Sequence, residues 1–297
     1  MSNINLLPLE SIDGFIWMNG NFIKWQDAKL HVLTHSLHYG GAVFEGEKAY
    51  NGKIFKINEH TERFYQSANL MKLSIPYEKS DIINASYELL NKNNLKNAYI
   101  RPLAWRSTEA LMLRPSAPVT NLMIAAWEPR AKKSNEPFNI CVSKWRKPSD
   151  NTCYPQCKTS SNYSMLFISI SEAIEKGYKD AILLDQFGNI SECTTSNIFF
   201  IKQNILYTPK ATSCLNGITR QTVLQIAENL GIQKLEQDIA QQDIATFESA
   251  FITGTACGLK LIDSIECDSR IIPLSNNTIF QQLKSQYQNL TGEIINE

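Results

Sequence analysis

In the stretch PQCKTSSNYSMLF, residues 155–167, one lysine stands among small uncharged residues just ahead of an apolar run that reads as a helix. The positive end of a helix dipole disfavours a cation there, so Lys158 occupies a place suited to an amine that must lose its proton. Amine nucleophiles that form Schiff bases need a depressed pKa. Bringing a lysine from about 10.4 to near 7 takes roughly 4 to 5 kcal/mol. A helix end supplies about 0.3 to 2 kcal/mol of that, and burial or a second cation must supply the rest. A phosphate-loop reading fails, because G-x-x-x-x-G-K-[ST] requires glycines that PQCKTS lacks.

Schiff-base lysines go with pyridoxal phosphate, which demands a carboxylate for the ring nitrogen, a phosphate cup and a seat for a substrate carboxylate. ISECTTSNIFF places Glu192 at the mouth of a strand. LNGITRQTVLQIAENLGI puts Gly217 directly before an amphipathic helix, with Ile218 and Thr219 as its first free amides, an anion site by geometry. ITGTACG ends a buried strand in Gly254, Thr255 and Ala256, a second anion-binding turn. Taken singly, these are a surface glutamate and two ordinary turns.

The elements that must position them fit a two-domain chain. At 297 residues the protein exceeds a single core, and 29 basic residues against 29 acidic ones leave no net charge, which excludes a dedicated nucleic-acid binder. The opening MSNINLLPLESIDGF has no signal-peptide pattern and no apolar run nears the ~18 residues of a membrane span, so a cytoplasmic protein without membrane contact is expected. Seven scattered cysteines read as reduced thiols, and no metal site is expected: Cys153 and Cys157 lack a second ligand pair, and His35 and His38 lack a carboxylate or cysteine partner.

FIWMNGNFIKW and KAYNGKIFKI each carry Asn-Gly between apolar segments, the mark of a hairpin. A helix follows Asn58 as N-cap, with His60 as a polar residue at its start, and another runs from Asp81 to Lys92. NAYIRPLAW and NLMIAAW read as strands. The polar stretch 129–137 is the expected linker between a smaller domain, 1–128, and a larger one, 138–297. The larger domain opens with strand FNICVSKW and a helix over 162–176 whose Met165, Leu166, Phe167 and Ile170 form a core stripe. DAILLD, SNIFFI, NILYTP, SAFITGT and LKLIDSI are strands, and a terminal helix spans 276–289. Hairpins and helices mix without regular βαβ alternation, which gives α+β.

In this order the features resemble the fold-type IV pyridoxal-phosphate transaminases, and within them the branched-chain amino acid aminotransferases, from about residue 15 to 265. HSLHYGGAVFEG, EHTERFYQSA, AYIRPLAW, Lys158 with Tyr163, GNISECTTSNIFF, GITR and TGTA carry the resemblance. It implies a small α/β N-terminal domain, a larger β-barrel-like C-terminal domain with flanking helices, and a homodimer or higher homo-oligomer. It implies Lys158 as the Schiff-base lysine and proton shuttle, Glu192 as partner of the ring nitrogen, and Tyr163 beside the cofactor's phenolic oxygen. Arg63, Ile218, Thr219 and Thr255 would take the phosphate. Tyr99 with the amides of Thr255 and Ala256 would receive the substrate α-carboxylate. Arg101, Tyr39 and Phe44, with Trp127, would sort side chains, an apolar wall taking leucine, isoleucine or valine and Arg101 taking the γ-carboxylate of glutamate.

The implied reaction is reversible ping-pong transamination with 2-oxoglutarate. A D-amino-acid transaminase or aminodeoxychorismate lyase of the same fold, or a non-catalytic binding relative, are the alternatives. Glu47-Lys48 after VFEG, and the spellings KTSSNY, ECTTSN and GTACGL, depart from the family's usual pattern and bear on substrate preference.

Overall fold

The computed structural model describes residues 9–107, 111–113, 118–129 and 136–292. They fall into two compact units, one within Met1–Ala131 with Cys157–Ser161, the other within Lys132–Gln156 with Asn162–Glu297. The division differs from the one expected at 1–128 and 138–297 in one segment, since Cys157–Ser161 sits in the first unit. Residues 130–135 of the expected linker lie outside the described residues.

The first unit contains β1 (Phe15–Met18), β2 (Asn21–Lys24), α1 (His35–Tyr39), β3 (Ala42–Phe44), β4 (Glu47–Tyr50), β5 (Lys53–Ile54), α2 (Ile57–Leu70), α3 (Lys79–Lys92), β6 (Ala98–Arg106) and β7 (Thr120–Trp127). Its strands form one antiparallel sheet in the order β2-β1-β7-β6-β4-β5, with β3 also on β6. Both Asn-Gly pairs turn hairpins with positive φ at each residue, 50° and 87° at Asn19-Gly20 and 50° and 80° at Asn51-Gly52. Helix α2 starts two residues earlier than expected: Lys56, in the left-handed region, is the N-cap, and Asn58 lies inside the first turn. A capping box of Glu78 and Asp81 starts α3.

Strand alternation then does the sorting. Along β6, Ala98, Ile100 and Ala104 are buried in the core with Phe64 of α2 and Leu89 of α3, while Tyr99, Arg101 and Leu103 face the other way, half-buried. The Cys157–Ser161 segment is laced into this unit by its backbone. Lys158 N–H donates to Ser67 Oγ at 3.0 Å, Phe44 N–H donates to the Lys158 carbonyl at 3.0 Å, Thr159 bridges Val43, and Cys157 joins the core.

The second unit contains β8 (Asn139–Arg146), α4 (Tyr163–Glu175), β9 (Asp180–Leu184), β10 (Ile190–Cys193), β11 (Asn197–Lys202), β12 (Ile205–Pro209), α5 (Ile218–Asn229), β13 (Lys234–Gln237), β14 (Ser249–Gly254), β15 (Gly258–Ile262), β16 (Ser264–Cys267), β17 (Arg270–Pro273) and α6 (Thr278–Thr291). Two five-stranded sheets, β10-β9-β8-β16-β17 and β13-β12-β11-β14-β15, share one apolar core drawn from Ile140, Ile182 and Ile265 on one side and Ile198, Phe200 and Ile252 on the other.

One expectation fails here and another holds only in part. LKLIDSI is not one strand, because the chain changes sheets at Asp263, whose carboxylate takes the Phe138 N–H at 2.6 Å. The stripe on α4 is core only in part: Leu166 is buried and Met165 and Ile170 are half-buried, but Phe167 is 70% exposed. Periodicity marks an apolar face without saying what covers it. Among the described residues no helix is long and apolar enough to cross a membrane and no metal-ligand cluster occurs, and all seven cysteines are free.

Candidate active site

In the first unit Lys158 heads a set of charged side chains anchored to β3, α2 and β6. Its Nζ lies 4.9 Å from the Phe44 ring centroid, and the Arg101 guanidinium lies 4.8 Å from the same ring. Arg101 Nη2 donates to Tyr99 Oη at 3.1 Å, and Tyr99 packs on Trp127 with ring centroids 5.2 Å apart. Arg101 Nε is buried without a hydrogen-bond partner, a donor that an incoming carboxylate would satisfy. Gly46 is required at its position, since a Cβ there would run into Tyr99 Oη.

Arg63 reaches Glu45 through both oxygens, Nε to Oε1 at 2.6 Å and Nη2 to Oε2 at 2.8 Å, and Glu45 is fully buried. His60 Nδ1 lies 2.8 Å from the same Oε2. Burial pushes the His60 pKa down, so the neutral ring donates to Glu45. Burial would raise Glu45, but Arg63 and His60 overcome it and hold the carboxyl well below the usual range. Glu47, buried two residues on at the start of β4, is pushed well above it by burial and by the Glu45 charge.

The Lys158 amine is pulled below its ordinary value, first by burial, then by the Arg63 and Arg101 cations, against the opposing pull of Glu45 and Tyr99. The direction matches the one that the sequence argument called for, and its causes are burial and two arginines. Helix α4 begins five residues later, in the other unit.

In the second unit Glu192, on β10, is 8% exposed and forms an ion pair with Lys147, which follows β8. Burial opposes the Lys147 charge, yet Glu192 raises its pKa overall. Gly217 is the N-cap of α5, no side chain caps the first turn, and Ile218 and Thr219 are buried there. A Cβ at Gly217 would collide with Asn197 Oδ1. Asn197 also pairs with Thr253 across β11 and β14, so the start of α5 and the Gly254–Ala256 turn flank the same residue. Arg220, 2% exposed, ties this corner together through Asn216, the Pro209 carbonyl and Glu236.

The structure therefore gathers Lys158, Arg63, Tyr99, Arg101 and Phe44 in one unit, and Ile218, Thr219, Thr255 and Ala256 near Asn197 in the other. Tyr163 opens α4 in the second unit. Tyr39 stands apart from the lysine cluster, 45% exposed on α1 with its hydroxyl donating to the Leu111 carbonyl at 3.1 Å. Sequence reasoning missed Glu45 and Lys147, and it placed His60 at a helix start, where the structure has it, without seeing its burial against Glu45. For Glu45 a signal existed, an acid in VFEG in a chain whose next helix offers His60 and Arg63.

A family model described as "Amino-transferase class IV" matches residues 42–265. The chain belongs to the class IV aminotransferases. It is 43% identical over 290 residues to a "Probable branched-chain-amino-acid aminotransferase" of Rickettsia conorii, covering 98% of this chain and 100% of that one. Among solved structures it is similar to the branched-chain aminotransferase of Thermoproteus uzoniensis with norvaline, at TM-score 0.89 and 30% identity over 95% of this chain and 96% of that one. It is also similar to the branched-chain amino acid aminotransferase of Thermobaculum terrenum in its PLP-form, at TM-score 0.86 and 26% identity over 95% of each chain. As a class IV aminotransferase the chain has the fold expected from its sequence.

Proposed function

We propose that this aminotransferase uses pyridoxal phosphate to move the amino group of L-leucine, L-isoleucine or L-valine to 2-oxoglutarate, giving the branched-chain 2-oxo acid and L-glutamate in a reversible ping-pong cycle. The observation that carries the reading is the Lys158 amine set over the Phe44 ring with Arg101, its pKa lowered by burial and by the Arg63 and Arg101 cations. When bound, pyridoxal phosphate supplies the carbonyl that captures amino groups and the ring that accepts the electrons of the Cα–H bond. The residues present fit it: a nucleophilic amine, an ionic partner for the ring nitrogen in Glu192, and an uncapped helix start with a glycine that lets an anion approach.

In this reading Lys158 Nζ would hold the cofactor between turnovers and would take the proton from the substrate Cα. Glu192 holds the ring nitrogen's proton, and Tyr163 serves the phenolic oxygen. Arg63, the amides of Ile218 and Thr219, and the Thr255 hydroxyl take the phosphate. Tyr99 and the amides of Thr255 and Ala256 receive the α-carboxylate. Phe44 and Trp127 face the aliphatic side chain, and the open Nε of Arg101 takes the γ-carboxylate of glutamate. The names of the relatives support the branched-chain substrate, and norvaline in one neighbour supports an aliphatic side chain there.

A homodimer belongs to the same proposal. Leu30, Val32, Leu33, Leu37 and Tyr39 are exposed, and hydrogen bonds from Tyr39 and His35 tie them to exposed Leu111, Met112 and Leu113. Sedimentation should give twice the chain mass or a multiple of it.

The test is a panel of L- and D-amino acids with 2-oxoglutarate on wild type and Lys158→Ala. Wild type should turn over the three branched-chain L-amino acids, and the variant should fold and lose at least roughly a thousandfold in kcat. Activity with D-alanine and none with L-leucine would overturn the substrate, and retained turnover in the variant would overturn the lysine.

A further inference from the structure

Lys147 lies outside every motif that carries the family resemblance, in the polar stretch WRKPSD. Its backbone prolongs the pairing of β8 on β9, with Lys147 N–H donating to the Leu184 carbonyl at 2.8 Å. Glu192 is on β10, the other neighbour of β9, where a register shift between Ile190 and Glu192 sets it opposite Leu183. The lysine thus spans a strand, roughly twice the 4.7–4.9 Å spacing of neighbouring strands, to reach that carboxylate. Only a long side chain does so.

The pair is buried, each side chain 10% exposed. The lysine ion pairs Lys144–Glu172, Lys179–Glu136 and Lys210–Asp238 each pair a lysine about half exposed or more with a carboxylate more open than Glu192. The thiols near Lys147 offer no competing anion: burial pushes Cys214 up to about 12 and raises Cys153 as well.

We propose that Lys147 is a positioning residue for the cofactor site: it holds Glu192 through Oε1 as an oriented carboxylate before the cofactor arrives, leaving Oε2 for the ring N–H. The proposal rests on Glu192 being the ring-nitrogen partner. Without its ammonium this buried carboxylate would lose the contact that fixes its orientation. The lysine also spares the site from building that charge during cofactor binding, the sense in which outer-shell partners of metal ligands act.

The experiment titrates pyridoxal phosphate into cofactor-free protein, reading Kd, for wild type, Lys147→Met, Lys147→Arg, Glu192→Gln and the double variant Lys147→Met/Glu192→Gln. In parallel, ring-15N-labelled pyridoxal phosphate reports the protonation of the ring nitrogen. Lys147→Met should weaken binding by about ten- to a hundredfold, Lys147→Arg should restore it to within a few-fold, and the double variant should bind no worse than Glu192→Gln alone. Wild-type binding by Lys147→Met, or losses that multiply in the double variant, would overturn the proposal. Should Lys147→Met not fold, Lys147→Gln carries the same expectation. If Glu192→Gln changes neither Kd nor the nitrogen signal, the reading of Glu192 fails. If it changes both while Lys147→Met changes neither, only the role of Lys147 fails.

Discussion

Lys158 and Lys147 stand eleven residues apart in sequence, each in a different unit, and their amines go opposite ways. Burial works against the charge of both. Near Lys158 the carboxylate that would restore it, Glu45, already serves Arg63 and His60, and two guanidinium groups add to the repulsion. Near Lys147 the carboxylate of Glu192 is engaged by the lysine itself, and the charge stays. What a buried lysine becomes is set by whether its neighbouring acid has already been claimed.

The comparison breaks most severely at Glu45. Glu45→Gln strands Arg63 and should cost about 3 to 5 kcal/mol in urea denaturation of the cofactor-free protein. The sign with pH follows from a folded pKa held below the unfolded value of 4.5: the stabilisation is present above about pH 4.5 and is lost as pH falls toward the folded value. The two proteins should therefore converge in acid, and equal stability at pH 7 would refute the cluster's role.

Next come the two glycines on which each half closes. Gly46→Ala presses on Tyr99 and Gly217→Ala on Asn197. Each should destabilise by about 1 to 3 kcal/mol. Gly46→Ala should raise KM for the amino acid with cofactor Kd little changed, and Gly217→Ala should weaken cofactor binding; the reverse pattern would undo the division of labour.

The smallest effect on stability is expected at Lys158 itself. Its folded pKa is lowered from 10.5, so burying the charged amine opposes folding at neutral pH and ceases to do so as pH rises to 10.5. Cofactor-free Lys158→Met should melt slightly above wild type at pH 7, with the margin closing as pH rises. A lower melting temperature would show that the lysine is stabilising instead.

Much of the fold was legible because its signals are local. Asn-Gly at 19–20 and 51–52 marked both hairpins, and both pairs take positive φ. Lys158 was singled out because its neighbours are wrong for an ordinary role, and Glu192 and Gly217 were singled out only in combination with it. Glu45, His60 and Lys147 were not. Each is a common charged or polar residue whose meaning comes from a partner 15, 18 or 45 positions away. The break at Asp263 was hidden for the same reason, since the residue that ends one strand does so by binding the Phe138 amide 125 residues back.

The lysine segment also fixes an order of events during synthesis. Thr159 Oγ1 bonds the Ala42 carbonyl across 117 residues, so the first unit's last tie is made only after part of the second has left the ribosome. A nascent chain of 131 residues has every strand of its sheet and lacks Lys158 with the backbone that bridges Val43. The segment that carries the Lys158 amine is thus the last piece of its unit to be installed. A chain stalled or cut before residue 157 carries the arginines and Glu45 but not that lysine.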